Sequence, residues 1–370
     1  MATVAAQRFL LIHYRMIGDV LLNTPLVRAL RQHYPQSYIA YCTEPVPAGV
    51  LKGNPMLDEI ILHPRPSTLR QEWRFNRSIR RRRFDVVIDV MGNSRSALLS
   101  LMSGARHRIA FDRWPRSLCY TTLVEHRHEL NEYAVEKRLR LLLPLGIRAS
   151  DTSAVVTYGP EERRSVDGFL EENGVRADDL LICIDPTSYV YTRQWPAGCF
   201  SELVDLLDVR LGARVCLLWG PGEKEYVEGI AASSRTSPLL NPPWELTHIA
   251  ALLDRADLFV GCDSAPGHIA VSRQTPTVTV FGAQNSANWR PAEPRHRVVK
   301  KGLPCQPCDQ KTCGPPLDVA CLRTMTVEEV FEAVLASRAW VPKLDRLGCL
   351  SDTSEPGKHK RFSLPLPTSS

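Results

Sequence analysis

No stretch of the 370-residue chain reaches the roughly 18 consecutive apolar residues that a membrane-spanning helix needs. The opening residues "MATVAAQRFLLIHY" also lack the long apolar core of a signal peptide, so the expectation is a cytoplasmic protein. Internal repeats are missing, and no recognised nucleic-acid-binding motif accompanies the basic residues, which argues against nucleic acid as a partner. The eleven cysteines are an odd number in a chain without a secretion signal. They point to reduced thiols, with room for one metal-ligand group, rather than a disulfide framework.

What is present has the composition of a soluble globular protein, with 44% hydrophobic and 23% charged residues and length enough for two domains. The formal charge of +6 is modest but concentrated. "RQEWRFNRSIRRRRF", residues 70–84, contains four consecutive arginines, Arg80 to Arg83. Either this is a solvated face, or it is attracted to an anionic membrane surface or acidic glycolipid, with Trp73, Phe75 and Ile79 adding apolar contacts.

Both halves alternate strand and helix. "RFLLIHY" (8–14) and "FDVVIDV" (84–90) are short apolar or β-branched runs bounded by turn signals. A second series follows in "LLICIDP", "ARVCLLWG", "LFVGCD" and "TPTVTVFG", separated by helical stretches. The expected architecture is α/β, with two doubly wound Rossmann-like domains, 1–165 and 175–340, joined between about 150 and 178. The tail from 347 to 370, rich in Ser, Pro and Lys, reads as disordered.

In open α/β sheets ligands bind beyond the carboxyl ends of the strands. Polar loops with Gly or Pro follow all four strands of the second series, which suits a polar ligand. In "DSAPGHIA" small residues Ser264, Ala265 and Gly267 let backbone N–H groups approach an anion, and a helix opening near His268 would turn its positive end toward it. A plain turn capped by Asp263 or Ser264 explains the same residues. Arg193 in "TRQWP" has the chemistry for a bidentate phosphate contact, and Glu223 in "WGPGEKE" can accept from a ribose diol or simply cap a helix. The turn "MIGDV" at 16–20, by contrast, holds one glycine, no lysine, and Asp19.

Five segments occur together in order: "IGDVLLNTPLVRALRQHYP", "FDVVIDVMGNSRSALLSLMSGARHRIAF", "RQWP", "WGPGEKE" and "DSAPGHIAVSRQTPTVTVFGAQNSANWRP". Through them the chain resembles glycosyltransferase family 9, the lipopolysaccharide heptosyltransferases, from Phe9 to about Val334. The resemblance implies a GT-B fold, with the nucleotide-sugar in the C-terminal domain and the acceptor in the N-terminal one. Asp19 then resembles the family's catalytic base, taking the acceptor hydroxyl's proton in an inverting transfer. As a helix cap it would contribute only about 1 kcal/mol, and Thr24-Pro25 is itself a good helix start that leaves Asp19 in a turn.

Arg193, Asp263, Ser264, Ala265, Gly267, His268 and Glu223 would form the nucleotide-sugar site, Ala265 standing where the family usually has glycine. No Asp-x-Asp motif is present, which fits catalysis without a required metal cofactor. The implied activity is transfer of heptose from ADP-heptose to the acidic lipopolysaccharide core, with peripheral contact at the inner face of the cytoplasmic membrane. Another sugar for a different surface glycan, a GT-B nucleotide-sugar epimerase and a non-catalytic nucleotide-sugar binder are the alternatives. Finally, Cys305, Cys308, Cys313 and Cys321 in "CQPCDQKTCGPPLDVAC" have zinc-site spacing, with reduced packing thiols as the other explanation.

Overall fold

The computed structural model describes residues 7–65, 67–126 and 131–347. Twelve strands form two six-stranded sheets. The first contains β1 (Arg8–Ile12), β2 (Tyr38–Thr43), β3 (Glu59–Leu62), β4 (Val86–Asp89), β5 (His107–Phe111) and β6 (Thr122–Val124) in the order β3-β2-β1-β4-β5-β6. The second contains β7 (Leu181–Asp185), β8 (Arg214–Leu217), β9 (Leu239–Leu240), β10 (Leu258–Cys262), β11 (Thr277–Val280) and β12 (His296–Val299) in the order β12-β11-β10-β7-β8-β9. Every pairing between neighbours is parallel. Each sheet has the doubly wound order in which the chain reverses direction after its third strand, so each has one switch point: between β1 and β4, and between β7 and β10.

All six strands expected from the sequence are present, each shortened at one or both ends. β2, β3, β5, β6, β9 and β12 are additional. Strands buried on both faces read as continuous apolar runs, and the side chains of "RFLLI" and "LICI" divide between opposite faces. Phe9 and Leu11 join one core, Leu10 and Ile12 another; Leu181 and Cys183 face away from Ile182 and Ile184. The core under Phe9 and Leu11 continues into Leu181, Cys183 and Phe259, so the halves share apolar packing. The helix Pro160–Glu172 lies between the sheets within the expected joining segment. Its Arg163 and Asp167 pair with Asp254 and Arg255 of the second half.

Two expectations change. Asp19 does not sit in a free turn: a five-residue helix, Ile17–Leu21, already begins there with Met16 as its cap residue, and the next helix, Thr24–His33, takes Asn23 as cap. In the helix Leu69–Arg81, Ile79 is fully buried and Phe75 packs on the His63 ring, so neither faces outward. Trp73 and Leu69 do, at 53% and 91% exposure. The tail expected to be disordered lies, beyond Leu347, outside the described residues.

Candidate active site

The two switch points face each other, and Asp19, Arg193 and the Asp263–His268 loop collect there. Asp19 follows β1; Arg193 follows β7; Asp263 to His268 follow β10. The approach is close enough that a Cβ on Gly18 would lie 2.6 Å from Cδ2 of His268, which is why this turn carries glycine.

On the first half, Asp19 is one-fifth exposed and its Oδ1 is ion-paired with Arg138, from the helix Ala134–Leu139. Arg138 also donates to the Asp19 carbonyl at 2.8 Å and to Asn23 Oδ1 at 3.1 Å. The carboxylate therefore caps nothing; it is held by one oxygen. Nearby His13 is buried, and desolvation, offset in part by Asp19, pulls it down to about 4, so it is neutral. Asp89, at the end of β4 in register with Ile12 of β1, accepts from Gly92 N–H at 2.8 Å and from the Tyr120 hydroxyl at 2.6 Å.

On the second half, Asp263 is buried, and burial raises its carboxyl above the ordinary range although Arg290 and Arg193 oppose this. Three cationic or ring nitrogens surround it without reaching hydrogen-bond distance: Arg193 Nη1 at 3.9 Å, His268 Nε2 at 3.9 Å and Arg290 Nη2 at 4.0 Å. Ser264 is the cap residue of the helix Ala265–Ser272, yet its buried hydroxyl makes no cap bond and instead faces the Asp185 carboxyl. The first-turn N–H groups of Ala265 and Gly267 are free of intrahelical bonds, while Pro266 offers none. A helix N-terminus with unused donors and a buried hydroxyl suits an anionic ligand.

Glu223 turns its Oε2 back to accept from Gly220 N–H at 2.8 Å and makes no side-chain cap bond. It stands beside Asp185, which the sequence reading passed over. Asp185 ends β7 buried; its Oδ1 accepts from Thr187, and burial, opposed by the Ser264 and Thr187 hydrogen bonds and aided by nearby Glu223, pushes it up to about 6.

Arg138, Asp185 and Arg290 are thus the residues that sequence reasoning missed. Asp185 had a signal, as the last residue of a strand. Arg290 stood in the polar loop after the last expected strand, whereas Arg138 had no signal, being one arginine in an arginine-rich chain.

The four cysteines do not join this site. They line one small, mostly apolar cavity with Leu303, Leu317 and Val319. Among the described residues no three His, Cys, Asp or Glu side chains are arranged to hold a metal ion. Cys313 Sγ instead accepts from Val319 N–H at 3.2 Å within its own loop, while Cys305 and Cys308 are exposed. Burial, and then the neighbouring Cys305, Cys308 and Cys313, raise the Cys321 thiol above its ordinary value, so the four thiols gather round one place away from the cleft.

Comparison with known proteins gives the site a context. The family model described as glycosyltransferase family 9 (heptosyltransferase) matches residues 72–316. Lipopolysaccharide heptosyltransferase 3 of Escherichia coli K12 is 30% identical over 293 residues, covering 75% of this chain and 83% of that protein. Among solved structures, a family 9 glycosyl transferase from Veillonella parvula superimposes with TM-score 0.80 at 22% identity, covering 93% of this chain and all of the other. The E. coli heptosyltransferase WaaC, solved with ADP-2-deoxy-2-fluoro heptose, gives TM-score 0.65 at 20% identity, covering 88% and 98%.

Proposed function

The chain belongs to glycosyltransferase family 9, a GT-B glycosyltransferase, and from that premise we propose that it moves a heptose from ADP-heptose onto the lipopolysaccharide core with inversion. The observation that carries this reading is the meeting of Asp19 with the Asp263–His268 loop across Gly18, one switch point supplying a carboxylate and the other an anion site. The names of the relatives support heptose, lipopolysaccharide and an adenosine diphosphate leaving group.

In this mechanism the acceptor hydroxyl attacks the anomeric carbon while the bond to the diphosphate oxygen breaks on the opposite face. Asp19 takes the hydroxyl proton. Because Arg138 holds only Oδ1, Oδ2 is left to receive it, and a positioned base of this kind contributes about 10²- to 10⁴-fold. Charge develops on the departing diphosphate, where Arg193 and the N–H groups of Ala265 and Gly267 stabilise it in a site largely shielded from water. Glu223 and Asp185 flank this place with carboxyl groups suited to hydroxyls.

The acceptor is an acidic lipid, and no helix among the described residues is long and apolar enough to cross a membrane. Peripheral docking from the cytoplasmic side answers that need. The helix Leu69–Arg81 runs antiparallel to the strands, so its outer face joins the cleft edge of the sheet to the opposite edge. That face exposes Leu69, Trp73, Arg77 and Arg80 at helical spacing, flanked by Arg70, Arg74 and Arg81, with the Arg77 guanidinium 5.4 Å from the Trp73 ring centre. At its far end Arg80, Arg83 and Arg106 border a hollow of about 320 Å³. Basic residues with one or two exposed apolar anchors suit an anionic surface.

Incubating the protein with ADP-heptose and a heptose-deficient core acceptor, then reading the new anomeric linkage by NMR, tests the proposal. A new heptosyl linkage of inverted configuration supports it. No product with ADP-heptose, but product with another nucleotide-sugar, replaces the donor; free altered sugar without acceptor would make it an epimerase.

A further inference from the structure

Arg290 follows the short helix Ser286–Trp289 after β11, and its side chain is 1% exposed. Its Nε donates to Thr279 Oγ1 at 3.2 Å and its Nη1 to His268 Nδ1 at 3.0 Å and more weakly to the Trp289 carbonyl at 3.4 Å. Nη2 has no partner and stands 4.0 Å from Asp263 Oδ1. The fit is close on the opposite side too: a Cβ on Gly267 would lie 2.4 Å from Nη2. Glycine at 267 therefore does more than admit a ligand from outside, since it lets a guanidinium lie beneath the first turn of the helix.

A guanidinium has five donors and no acceptor. The nitrogen facing it at 3.0 Å must present a lone pair, so His268 Nδ1 carries no proton. A neutral imidazole then carries its proton on Nε2, and Nε2 is the nitrogen turned toward Asp263 Oδ1 and the Gly18 position. We propose that Arg290 is a positioning residue, fixing His268 as the Nε2–H tautomer so that one directed donor is presented where the two halves of the enzyme meet.

The charged groups facing His268 are Arg290, Asp263 and, from the other half, Arg138, with Asp19 beyond it on the Arg138 guanidinium. Burial opposes protonation of the ring and the two cations add to it, holding His268 well below its ordinary value. Removing Arg290 takes away both the donor that selects the tautomer and one of the two cations. The lone pair on Nδ1 then gains a proton more easily.

The consequence for turnover rests on the glycosyltransferase reading above, whereas the tautomer does not, so the test has two arms. In protein labelled with ¹⁵N-histidine, the His268 ring nitrogens of the wild type should report a neutral Nε2–H ring from pH 5 to 8. In Arg290→Met the ring should show mixed tautomers and titrate within that range. With ADP-heptose as donor, the same variant should lose about tenfold or more in kcat, most at the acid end, with donor KM changed less than about threefold. Arg290→Lys, which can still donate to Nδ1, should restore the tautomer and most of the rate. In a His268→Gln background, adding Arg290→Met should cost less than about twofold more.

A wild-type ring protonated on Nδ1, or a tautomer unchanged in Arg290→Met, overturns the proposal. So does an equal loss from Arg290→Met with His268 present or absent. If Arg290→Met does not fold, the wild-type spectrum and Arg290→Lys decide by the same criteria. A wild type inactive on ADP-heptose but showing the expected tautomer would count against the donor assignment alone.

Discussion

Gly18 and His268 stand against each other across the junction of the two halves, so that a methyl group on Gly18 would penetrate the imidazole. This explains why the first loop resembles a phosphate-binding turn without its equipment. Its glycine makes room for a histidine from the other sheet, and its neighbour Asp19 thereby comes to lie beside the anion site rather than inside it. Gly18→Ala should displace the ring or separate the halves, costing about 1–3 kcal/mol of overpacking. The expected outcome is a lowered Tm together with a kcat loss larger than the change in nucleotide affinity, read by thermal unfolding and steady-state kinetics.

Asp19→Asn should keep the fold and donor binding while lowering turnover by about two to four orders of magnitude. Arg138→Gln should be milder, since it frees the carboxylate without removing it, and should alter the pH dependence of kcat. Comparing both variants with donor titrations separates the base from its holder. Turnover near wild type in Asp19→Asn would remove that residue from the chemistry.

Arg193→Ala should weaken a nucleoside diphosphate about 10- to 100-fold, the scale of a lost charged hydrogen bond, and leave the nucleoside nearly unaffected. Calorimetry with ADP and adenosine makes the comparison. Equal weakening of both would place Arg193 outside the diphosphate site.

Asp185 gives a pH prediction with a definite sign. Its pKa in the folded protein, about 6, lies above the ordinary value of 3.8, so the fold binds this proton more tightly than the unfolded chain does. The associated stability is present below about pH 4 and lost as pH rises through 6. Two units correspond to about 3 kcal/mol. Asp185→Asn should therefore raise Tm at pH 8 and have little effect at pH 4. The opposite ordering of the two melting curves would contradict the buried-carboxyl account.

Replacing Arg80, Arg81 and Arg83 with serine should reduce sedimentation with anionic vesicles and activity on membrane-embedded acceptor, leaving activity on delipidated acceptor intact. Arg82 is spared because it pairs with Glu59 and accepts from Arg8 through its carbonyl. Wild-type binding should itself fade as salt rises past physiological strength, where the Debye length is about 8 Å. These arginines lead into β4 at the edge away from Asp19, so loss on both acceptors is not expected.

Local pattern was enough to read much of this molecule. Apolar runs ending in polar loops revealed the parallel sheets, because strands buried on both faces need uninterrupted apolar residues. The positions of Asp19, Arg193 and Asp263 after strand ends placed them on the ligand edge. The short edge strands β3, β6 and β9 were not legible, since two to four residues carry too little periodicity. The helix does start at Thr24-Pro25, but periodicity could not foresee that Asn23 before it commits its amide to Tyr41 and Arg138 rather than to a cap bond.

The site's pairings were decided only in three dimensions. Arg138 is 119 residues from Asp19, and Arg290 is 22 from His268, and nothing in one arginine among many marks which carboxylate or imidazole it will meet. Strand order sets that, by bringing the switch points of two sheets together. The tautomer of His268, the single free oxygen of Asp19 and the raised pKa of Asp185 all follow from burial and direction at that junction, which are properties of packing and have no local sequence signature.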